Sequence, residues 1–498
     1  MPEAATTEPT AAEADKVADA KPLEDQQFVS RHAVTIGGER IQYTAKTGRL
    51  VMHDDDEQGK PKVAIFYTAY LRDEVSSSRN RPLVFVWNGG PGSSTIWLHM
   101  YSYGPRRVVF EGDPLVDASR WELKENEHSL LDVADLVFLD PPSTGFSRTA
   151  PGVDPKEFYG IEVDAAVVGD FVLEFIAREG RGDSPIVLFG ESYGTLRAPA
   201  VADYLQQVPG LFVDGVILLS SLMDVAGTTF GVGVNNGPVG QLPSYAATAL
   251  YHGVISGDLA TVVAEAEDFA LNEYSVALLK GSRLTAAEEQ RIATRLSELT
   301  GISADYFLRA NLRVTLWRFM KELLRDRGRT VGRLDTRFTG VDSDSAGEAF
   351  ENDPSYTAPT GAATAALTKY LRGDLGWDAD RPLLYRHIRP RFEWKHRESE
   401  QMGIWTPQLE VATLLRGAMY RSPHLKVFLL SGYYDLGTPF FPAELTFDHL
   451  HLHPDVAGNV TKKRYESGHM IYLHEPSLAQ TRADLVEFLA SVRTGIGA

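Results

Sequence analysis

A serine in a tight, glycine-flanked turn joins a predicted buried strand to a predicted helix, and few folds accept that arrangement. Residues 190–194 read Gly-Glu-Ser-Tyr-Gly. The apolar run at residues 185–189 is typical of a buried parallel strand, and the apolar spacing of residues 195–206 indicates a helix. Glycines on both sides allow a sharp turn. The pattern predicts that the Ser192 hydroxyl stands clear of the backbone at the end of a strand, as a nucleophile requires.

Two residues farther along the chain could activate Ser192. A serine nucleophile needs a base to take its proton, and the base needs an orienting acid. In the α/β-hydrolase fold these follow in the order Ser, acid, His. Asp435 comes after a strand-like run at residues 427–430, and His469 follows a glycine in a loop. Singly, each residue also fits a structural role, but their order and contexts predict a triad of Ser192, Asp435 and His469.

A glycine-rich loop supplies the remaining element of such a site. Residues 87–94 read Trp-Asn-Gly-Gly-Pro-Gly-Ser-Ser and follow a predicted strand at residues 82–86. In this fold one oxyanion N–H comes from such a loop and the other from the residue after the nucleophile. The donors would be the backbones of Gly90 and Tyr193. A phosphate-binding loop is the rival interpretation, but the Gly-Lys-Ser/Thr ending of a P-loop is missing.

Together these motifs resemble those of the serine carboxypeptidases. The matching segments are residues 88–94, 136–147, 190–194, the turn at Asp435, and 468–470. The resemblance spans about residues 35–490 and is weakest in the middle. It implies an α/β-hydrolase that removes C-terminal residues from peptides through an acyl-enzyme on Ser192, without a metal or cofactor. It also implies that Asn88, Gly89 and Glu191 bind the terminal carboxylate of the substrate.

The sequence departs from the family pattern at two positions. A second glutamate that partners Glu191 in the family is replaced by Ser102, and the cysteine of the glycine-rich loop is replaced by Ser93. The chain contains no cysteine, so it resembles a bacterial-type member without disulfides. Because Glu191 would repel a substrate carboxylate unless the two shared a proton, the arrangement favours acidic pH. The missing glutamate leaves that preference open.

Composition limits the partners of this chain. The formal net charge of −18 argues against nucleic acid, which needs clustered Lys and Arg. No apolar run approaches the ~20 residues of a membrane-spanning helix. Residues 1–25 lack the apolar segment of a signal peptide, so we expect a disordered tail and a cytoplasmic location. The expected partner is a peptide with a free C-terminus, and the oligomeric state is open, with a homodimer as one option.

The order of predicted elements indicates an α/β fold with an insertion. Alternating strands and helices predict a mostly parallel central sheet with helices on both faces, preceded by antiparallel strands at residues 33–44 and 63–70. Amphipathic helices replace the strand pattern later in the chain and predict a mainly helical cap. The predicted division is a tail at residues 1–27, an α/β-hydrolase core at 28–222 and 407–498, and a cap at 223–406.

Other candidate residues fit less specific roles. His449, His451 and His453 alternate, but no carboxylate or cysteine accompanies them at zinc-like spacing, so a solvated loop is the preferred interpretation and no metal site is predicted. Trp97 and His99 could line the pocket or pack in the core. An esterase, amidase or acyltransferase with the same triad stays open as an alternative function, as does a catalytically silent binding protein.

Overall fold

The computed structural model describes residues 23–54, 59–115, 117–377, 383 and 409–494. The strands are β1 Gln26–Ile36, β2 Glu39–His53, β3 Pro61–Arg72, β4 Leu83–Trp87, β5 Arg106–Phe110, β6 Trp121–Glu125, β7 Asp135–Leu139, β8 Arg148–Thr149, β9 Ile186–Glu191, β10 Gly215–Leu219, β11 Thr330–Val331, β12 Thr339–Gly340, β13 Lys426–Gly432 and β14 Val460–Tyr465. The helices are α1 Ile96–Tyr101, α2 Ile161–Glu179, α3 Gly194–Gln207, α4 Asn236–Tyr251, α5 Leu259–Phe269, α6 Ser275–Lys280, α7 Ala286–Thr300, α8 Ala304–Arg309, α9 Leu316–Glu322, α10 Pro354–Gly373, α11 Ala412–Arg421, α12 Phe440–Asp448, α13 Pro454–Ala457 and α14 Glu475–Thr494. Most of the predicted tail lies outside the described residues.

One twisted sheet organises the described residues. Its strands follow the order β1-β2-β3-β7-β4-β9-β10-β13-β14, and the short β8 pairs with β3. The pairs from β1 to β7 are antiparallel, and those from β7 to β14 are parallel. Parallel strands need crossover connections, which the intervening helices provide. The predicted mostly parallel sheet with helices on both faces is confirmed.

The parallel strands are buried on both faces because their residues are apolar almost throughout. In β9, Ile186 and Leu188 point into one core, and Val187 and Phe189 point into the other. Successive side chains of a strand alternate between faces, so a continuous apolar run serves both cores. Helices α2, α3 and α11 cover the first face, and α1, α10 and α14 cover the second.

The antiparallel edge differs in one respect from the sequence expectation. Residues 33–44 were expected to form a strand, but they contain the turn between β1 and β2. Gly37 and Gly38 both have positive φ, at 56° and 85°, and the paired residues Ile36 and Glu39 close the turn. A Gly-Gly pair suits the two-residue hairpin turn that the twist of antiparallel strands favours. The predicted single strand is therefore wrong, and the chain reverses there.

The predicted insertion contains helices and a small hairpin. Helices α4 to α9 build a third apolar core, which also includes Tyr434 and Phe440 from the region after β13. Helix α10 packs instead in the second core, where Ala363 and Leu367 lie among side chains under the sheet. The domain limits at residues 223 and 406 stay a prediction. Among the helices in the described ranges, none has the length and hydropathy needed to cross a membrane.

The hairpin of β11 and β12 and its loop lie against the end of the sheet. In this hairpin Thr339–Gly340 pairs antiparallel with Thr330–Val331. In the connecting loop, Thr336 N–H donates to Tyr434 O at 2.9 Å, and Leu334 O accepts from His469 N–H at 2.6 Å. These loop contacts reach the segments that follow β13 and β14. The loop at residues 332–338 therefore holds His469 directly and Asp435 through its neighbour Tyr434.

A buried ion pair holds this loop together. Arg337 and Asp335 are 5% and 4% exposed and are joined by two guanidinium–carboxylate bonds of 2.9 and 2.7 Å. Arg337 also donates to Glu466 O at 3.0 Å and Ser467 Oγ at 3.1 Å. The pair thus ties the hairpin loop to the residues just before His469.

Replacing Arg337 by methionine is expected to destabilise the protein. The change leaves the Asp335 carboxylate buried without its partner, which costs about 3–5 kcal/mol in comparable sites. The free energy of unfolding, from denaturant titration followed by circular dichroism, measures the effect. The matched control is Arg329→Met, which alters an exposed arginine of the same hairpin and should change stability by less than about 0.5 kcal/mol. Equal midpoints for the two variants would contradict the expected role of the ion pair.

Candidate active site

Ser192 occupies the turn between β9 and α3. Its φ is +60°, a conformation that residues other than glycine rarely adopt. The turn is held from both sides, because Ser192 N–H donates to Leu219 O of β10 at 3.0 Å and Ser192 O accepts from Thr195 N–H at 2.9 Å. The side chain is half-buried and lines a cavity of about 300 Å³. The strand–turn–helix context that the sequence predicted is therefore present.

Asp435 lies in the turn that follows β13 and is fully buried. Its Oδ1 accepts the N–H groups of Gly437 at 2.7 Å and Thr438 at 3.0 Å. Its Oδ2 accepts the Thr438 hydroxyl at 2.7 Å and faces His469 Nδ1, also at 2.7 Å. Every oxygen of this carboxylate is thus satisfied, and one of them is directed at the imidazole.

His469 follows β14 and brings its ring to the same cavity as Ser192. Its backbone is fixed on both sides, by Leu334 O as described and by Ser220 Oγ, which donates to His469 O at 2.7 Å. Because an ionised carboxylate only accepts hydrogen bonds, Nδ1 carries the proton and Nε2 is left as the acceptor. Within the described residues no hydrogen bond joins Ser192 Oγ to the ring. Such contacts are often loose in unliganded enzymes.

The two partners shift each other's pKa. Burial alone would raise the pKa of the Asp435 carboxyl, but the charge of His469 and the hydrogen bonds from His469 and Thr438 outweigh it and lower that pKa. Burial alone would lower the pKa of His469, yet Asp435 and, more weakly, Glu191 raise it above its usual value. Asp435 therefore stays ionised at neutral pH and stabilises an imidazolium on His469.

The glycine-rich loop lies directly against the serine turn. A Cβ on Gly89 would stand 2.4 Å from Tyr193 N and 2.7 Å from Glu191 O, so only glycine allows this approach. Gly90 and Tyr193, the predicted oxyanion donors, both line the cavity with Ser192. Trp87 Nε1 donates to Gly194 O at 3.0 Å and ties the preceding strand to the start of α3.

A buried arginine joins the loop and the turn from behind. Arg197 of α3 is 1% exposed and pairs with Asp164 of α2 at 2.8 Å. It donates to Asn88 O at 2.9 Å, and its guanidinium lies 5.3 Å from the centre of the Tyr193 ring. The same cation therefore contacts both segments that carry the predicted oxyanion donors.

Glu191 is buried beside Ser192 and makes two hydrogen bonds through one oxygen. Asn88 Nδ2 and the Tyr472 hydroxyl each donate to Glu191 Oε2 at 2.8 Å. Asn88 is itself oriented, because its Oδ1 accepts from Leu98 N–H at 3.0 Å. Burial raises the pKa of Glu191 to about 7, although the charge of His469 and the two hydrogen bonds act in the lowering direction. Glu191 can therefore carry or release a proton near neutral pH.

Replacing Glu191 by glutamine is expected to change how activity on free-acid peptides depends on pH. In the native protein, activity should fall as pH rises through about 7, because Glu191 ionises and repels the substrate carboxylate. Glutamine stays neutral, so that fall should disappear. Loss of the Glu191 charge also lowers the pKa of His469, which moves the acidic limb downward.

The measurement is kcat/KM between about pH 5 and 9, which brackets both titrations. The matched control is Glu298→Gln, at a 57% exposed side chain on α7, which should keep the fall above pH 7. An unchanged alkaline limb in Glu191→Gln protein would remove Glu191 from carboxylate binding.

The position of the missing glutamate is not part of the cavity. Ser102 is buried at the end of α1, and its hydroxyl donates back to Leu98 O. Tyr472 supplies the hydrogen bond to Glu191, three residues after His469. The sequence analysis missed Tyr472 because it lies 281 positions from Glu191 and no spacing rule relates them. It also missed Thr438, although its place in the Asp435 turn offered a signal.

The cavity is mostly apolar apart from these groups. Its other lining side chains in the described part of the chain are Pro91, Ser93, Trp97, Leu196, Leu222, Val225, Arg333, Leu334, Tyr356, Leu409 and Met470. The rings of Trp97 and Tyr356 lie 6.1 Å apart. Trp97 therefore lines the cavity, whereas His99 is buried and hydrogen-bonded to the Tyr70 hydroxyl at 2.6 Å.

The three alternating histidines do not form a metal centre. His449 directly follows α12, His451 has a φ of 46°, and His453 caps α13 by accepting from Asp455 N–H. Across the described part of the chain, no group of three or more His, Cys, Asp or Glu side chains could hold one metal ion.

The sheet, the serine turn and the Asp–His pair define an α/β-hydrolase. A model of the serine carboxypeptidase family matches residues 51–318, more than half of the chain. The protein belongs to the serine carboxypeptidase family.

Curated relatives agree with that assignment, and a solved structure shares the fold. The chain is 27% identical over 253 residues to serine carboxypeptidase-like 50 of Arabidopsis thaliana, covering 49% of this chain and 51% of the relative. It is 34% identical over 164 residues to the pheromone-processing carboxypeptidase KEX1 of Saccharomyces cerevisiae, covering 31% and 21%. The chain thus spans about half or less of the length of these curated relatives. The crystal structure of yeast KEX1ΔP shares the fold, with a TM-score of 0.56 and 16% identity over 90% of this chain and 91% of that one.

Proposed function

We propose that the protein is a serine carboxypeptidase that hydrolyses the C-terminal peptide bond of peptides. The observation that carries the proposal is the 2.7 Å contact between Asp435 and His469 at the cavity that also holds Ser192. Ser192 attacks the scissile carbonyl, His469 takes its proton and later gives it to the leaving amine, and Asp435 holds the ring. The N–H groups of Gly90 and Tyr193 stabilise the oxyanion.

The preference for a free C-terminus comes from the groups beside the nucleophile. Asn88, Gly89 and Glu191 bind the terminal carboxylate, and Glu191 does so in its protonated form. The Tyr472 and Asn88 donors hold Glu191 in place. Water then enters the acyl-enzyme, activated by His469, and releases the shortened peptide.

The test compares an N-blocked dipeptide with its C-terminal amide. Purified protein is incubated with each between about pH 4 and 8, which spans the carboxylate and imidazole titrations, and products are followed by mass spectrometry. We expect loss of the C-terminal residue from the free acid and little change in the amide, with Ser192→Ala protein as the blank. Equal or faster cleavage of the amide would favour an esterase or amidase. Product that forms only with an added alcohol or amine would mark an acyltransferase.

We further propose a bacterial-type member without disulfides that acts in the cytoplasm. The lack of cysteine in the sequence supports this, because disulfides are the usual device of secreted proteins. Fractionation of source cells should place the protein with cytoplasmic markers. Recovery from the culture medium would contradict the proposal.

A further inference from the structure

A guanidinium group faces the cavity that holds Ser192 and His469. Arg333 belongs to the loop between β11 and β12 and contributes to the cavity wall. Its side chain is 32% exposed, so the cation is accessible from the cavity without being surrounded by water. Neither the sequence motifs nor the family resemblance assigns a role to this residue.

The guanidinium lies near a carboxylate, and its donors are not used by the described residues. Among the described residues its nearest carboxylate partner is Asp353, and the Nε–Oδ2 distance of 3.8 Å exceeds hydrogen-bond length. Asp353 Oδ1 is occupied by Arg333 N–H at 3.1 Å, and by the N–H and hydroxyl of Ser355 at 3.1 and 2.6 Å. Within the described residues the Arg333 guanidinium donates no hydrogen bond. Asp353 therefore lies beside the Arg333 guanidinium without accepting a hydrogen bond from any of its five N–H donors.

Arg333 lies close to the reacting groups. A Cβ on Gly437 would stand 3.0 Å from Arg333 Nη1 and 3.2 Å from Asp435 Oδ1, which places the cation beside the Asp435 turn. Burial and Asp435 are the main influences on the pKa of His469, and the charge of Arg333 also acts on it, in the lowering direction. A ligand at the guanidinium is thus within the same cavity as the attacking serine.

The wall that contains Arg333 continues to the groups already proposed to bind the substrate carboxylate. Asp353, which accepts from the backbone N–H of Arg333, caps the start of α10, and Tyr356 in the first turn of that helix contacts Trp97 of α1. The next residue of α1, Leu98, orients Asn88. Among the described lining residues, Glu191 is the acidic side chain that a substrate carboxylate meets in this cavity, so a cation on the same wall offsets the repulsion when Glu191 is ionised.

We propose that Arg333 binds a carboxylate of the peptide substrate on the leaving-group side of the scissile bond. The proposal rests on the proposed carboxypeptidase function and deepens it. The planar guanidinium matches a carboxylate through two parallel N–H···O bonds, which a lysine cannot reproduce. The carboxylate has two possible sources, the α-carboxylate of the last residue or an acidic side chain on that residue.

Binding to Ser192→Ala protein tests this without relying on turnover. Three N-blocked dipeptides are titrated by calorimetry: one ending in leucine as the free acid, the same peptide as the amide, and one ending in glutamate amide. The first carries only an α-carboxylate, the second none, and the third only a side-chain carboxylate. We expect Arg333→Met to weaken binding of the leucine free acid about 10- to 100-fold, as loss of a charged hydrogen-bonded partner does. The leucine amide should bind the protein carrying both Ser192→Ala and Arg333→Met with an affinity within about 2-fold of that for the Ser192→Ala protein.

Two further variants separate charge from structure. Arg333→Lys keeps the charge and should therefore recover part of the affinity for the free acid. The recovery should be incomplete, because lysine cannot form the bidentate pair. Arg329→Met, in the same hairpin but hydrogen-bonded to Thr339 at the surface, should leave all three affinities unchanged.

Each outcome of these titrations either supports or overturns the proposed role of Arg333. A loss confined to the glutamate amide would support the proposal with the side chain as the source. Equal losses for acid and amide, no loss for any peptide, or no binding of any peptide by Ser192→Ala protein would overturn it. If the native protein cleaves none of these peptides while Arg333-dependent binding persists, the carboxypeptidase proposal fails, and carboxylate binding by Arg333 stands without the assignment to a leaving group. If the native protein cleaves the free acid but binding does not depend on Arg333, the carboxypeptidase proposal stands and the proposed role of Arg333 fails.

Discussion

Replacing Ser192 by alanine is expected to lower kcat by a factor on the order of 10⁵–10⁶, as loss of a serine nucleophile does in other triads. The turn holds its shape through backbone bonds to Leu219 and Thr195, so removal of the hydroxyl should leave the fold intact. What is lost is the attacking oxygen, and with it the acyl-enzyme. Steady-state hydrolysis of an N-blocked dipeptide, with product quantified by mass spectrometry, measures the effect.

Two controls accompany that measurement. Ser297→Ala changes a serine on α7 in the insertion and should retain full activity. Thermal unfolding of the Ser192→Ala protein should match that of the native protein. Activity within about 10-fold of native in a folded Ser192→Ala protein would exclude the proposed mechanism, because the residual activity of triads lacking a member is far lower.

Replacing Asp435 by asparagine is expected to lower kcat about 10⁴-fold. Two backbone N–H groups point at Oδ1, so the asparagine oxygen must take that position. Its NH₂ then takes the position of Oδ2 and faces His469 Nδ1. The imidazole has to accept there and carry its proton on Nε2, which leaves no base for the Ser192 hydroxyl. The positions of the three side chains are kept, but the imidazole of His469 is in the tautomer that cannot act as a base.

The rate is measured as kcat at saturating free-acid substrate, and the fold is checked by thermal unfolding. Asp305→Asn serves as the matched control, because Asp305 lies on the surface of the insertion with a 76% exposed side chain. Its activity should be native. A loss of less than about 10-fold in Asp435→Asn protein would mean that Asp435 does not orient the base.

The sequence predicted the parts of the fold that depend on local pattern. Strands such as β9 and β10 are continuous apolar runs, which a parallel sheet buried on both faces requires. Helix α3 follows from its spacing. The hairpin of β11 and β12 could not be predicted in this way, since each strand has two residues and its stability comes from contacts with distant loops.

The same distinction applies to the site. Ser192, Asp435 and His469 were predicted from motif and order, and the structure brings Asp435 and His469 into contact at the cavity of Ser192. Their catalytic roles stay a prediction. Arg333 and Tyr472 reach the cavity only through tertiary packing, so no local pattern marks them. Sequence motifs identify the groups proposed to react, whereas the groups that select a substrate come from the folded surface around them.

The most direct test of the central claim, that Ser192 is a nucleophile activated by His469 and Asp435, is labelling with a fluorophosphonate followed by peptide mapping. Because the reagent is attacked by an activated serine, we predict one adduct, on the peptide that contains Ser192. It should be absent in Ser192→Ala protein and form much more slowly in Asp435→Asn protein. Failure of folded native protein to react, or an adduct on another serine with Ser192 unmodified, would contradict the account.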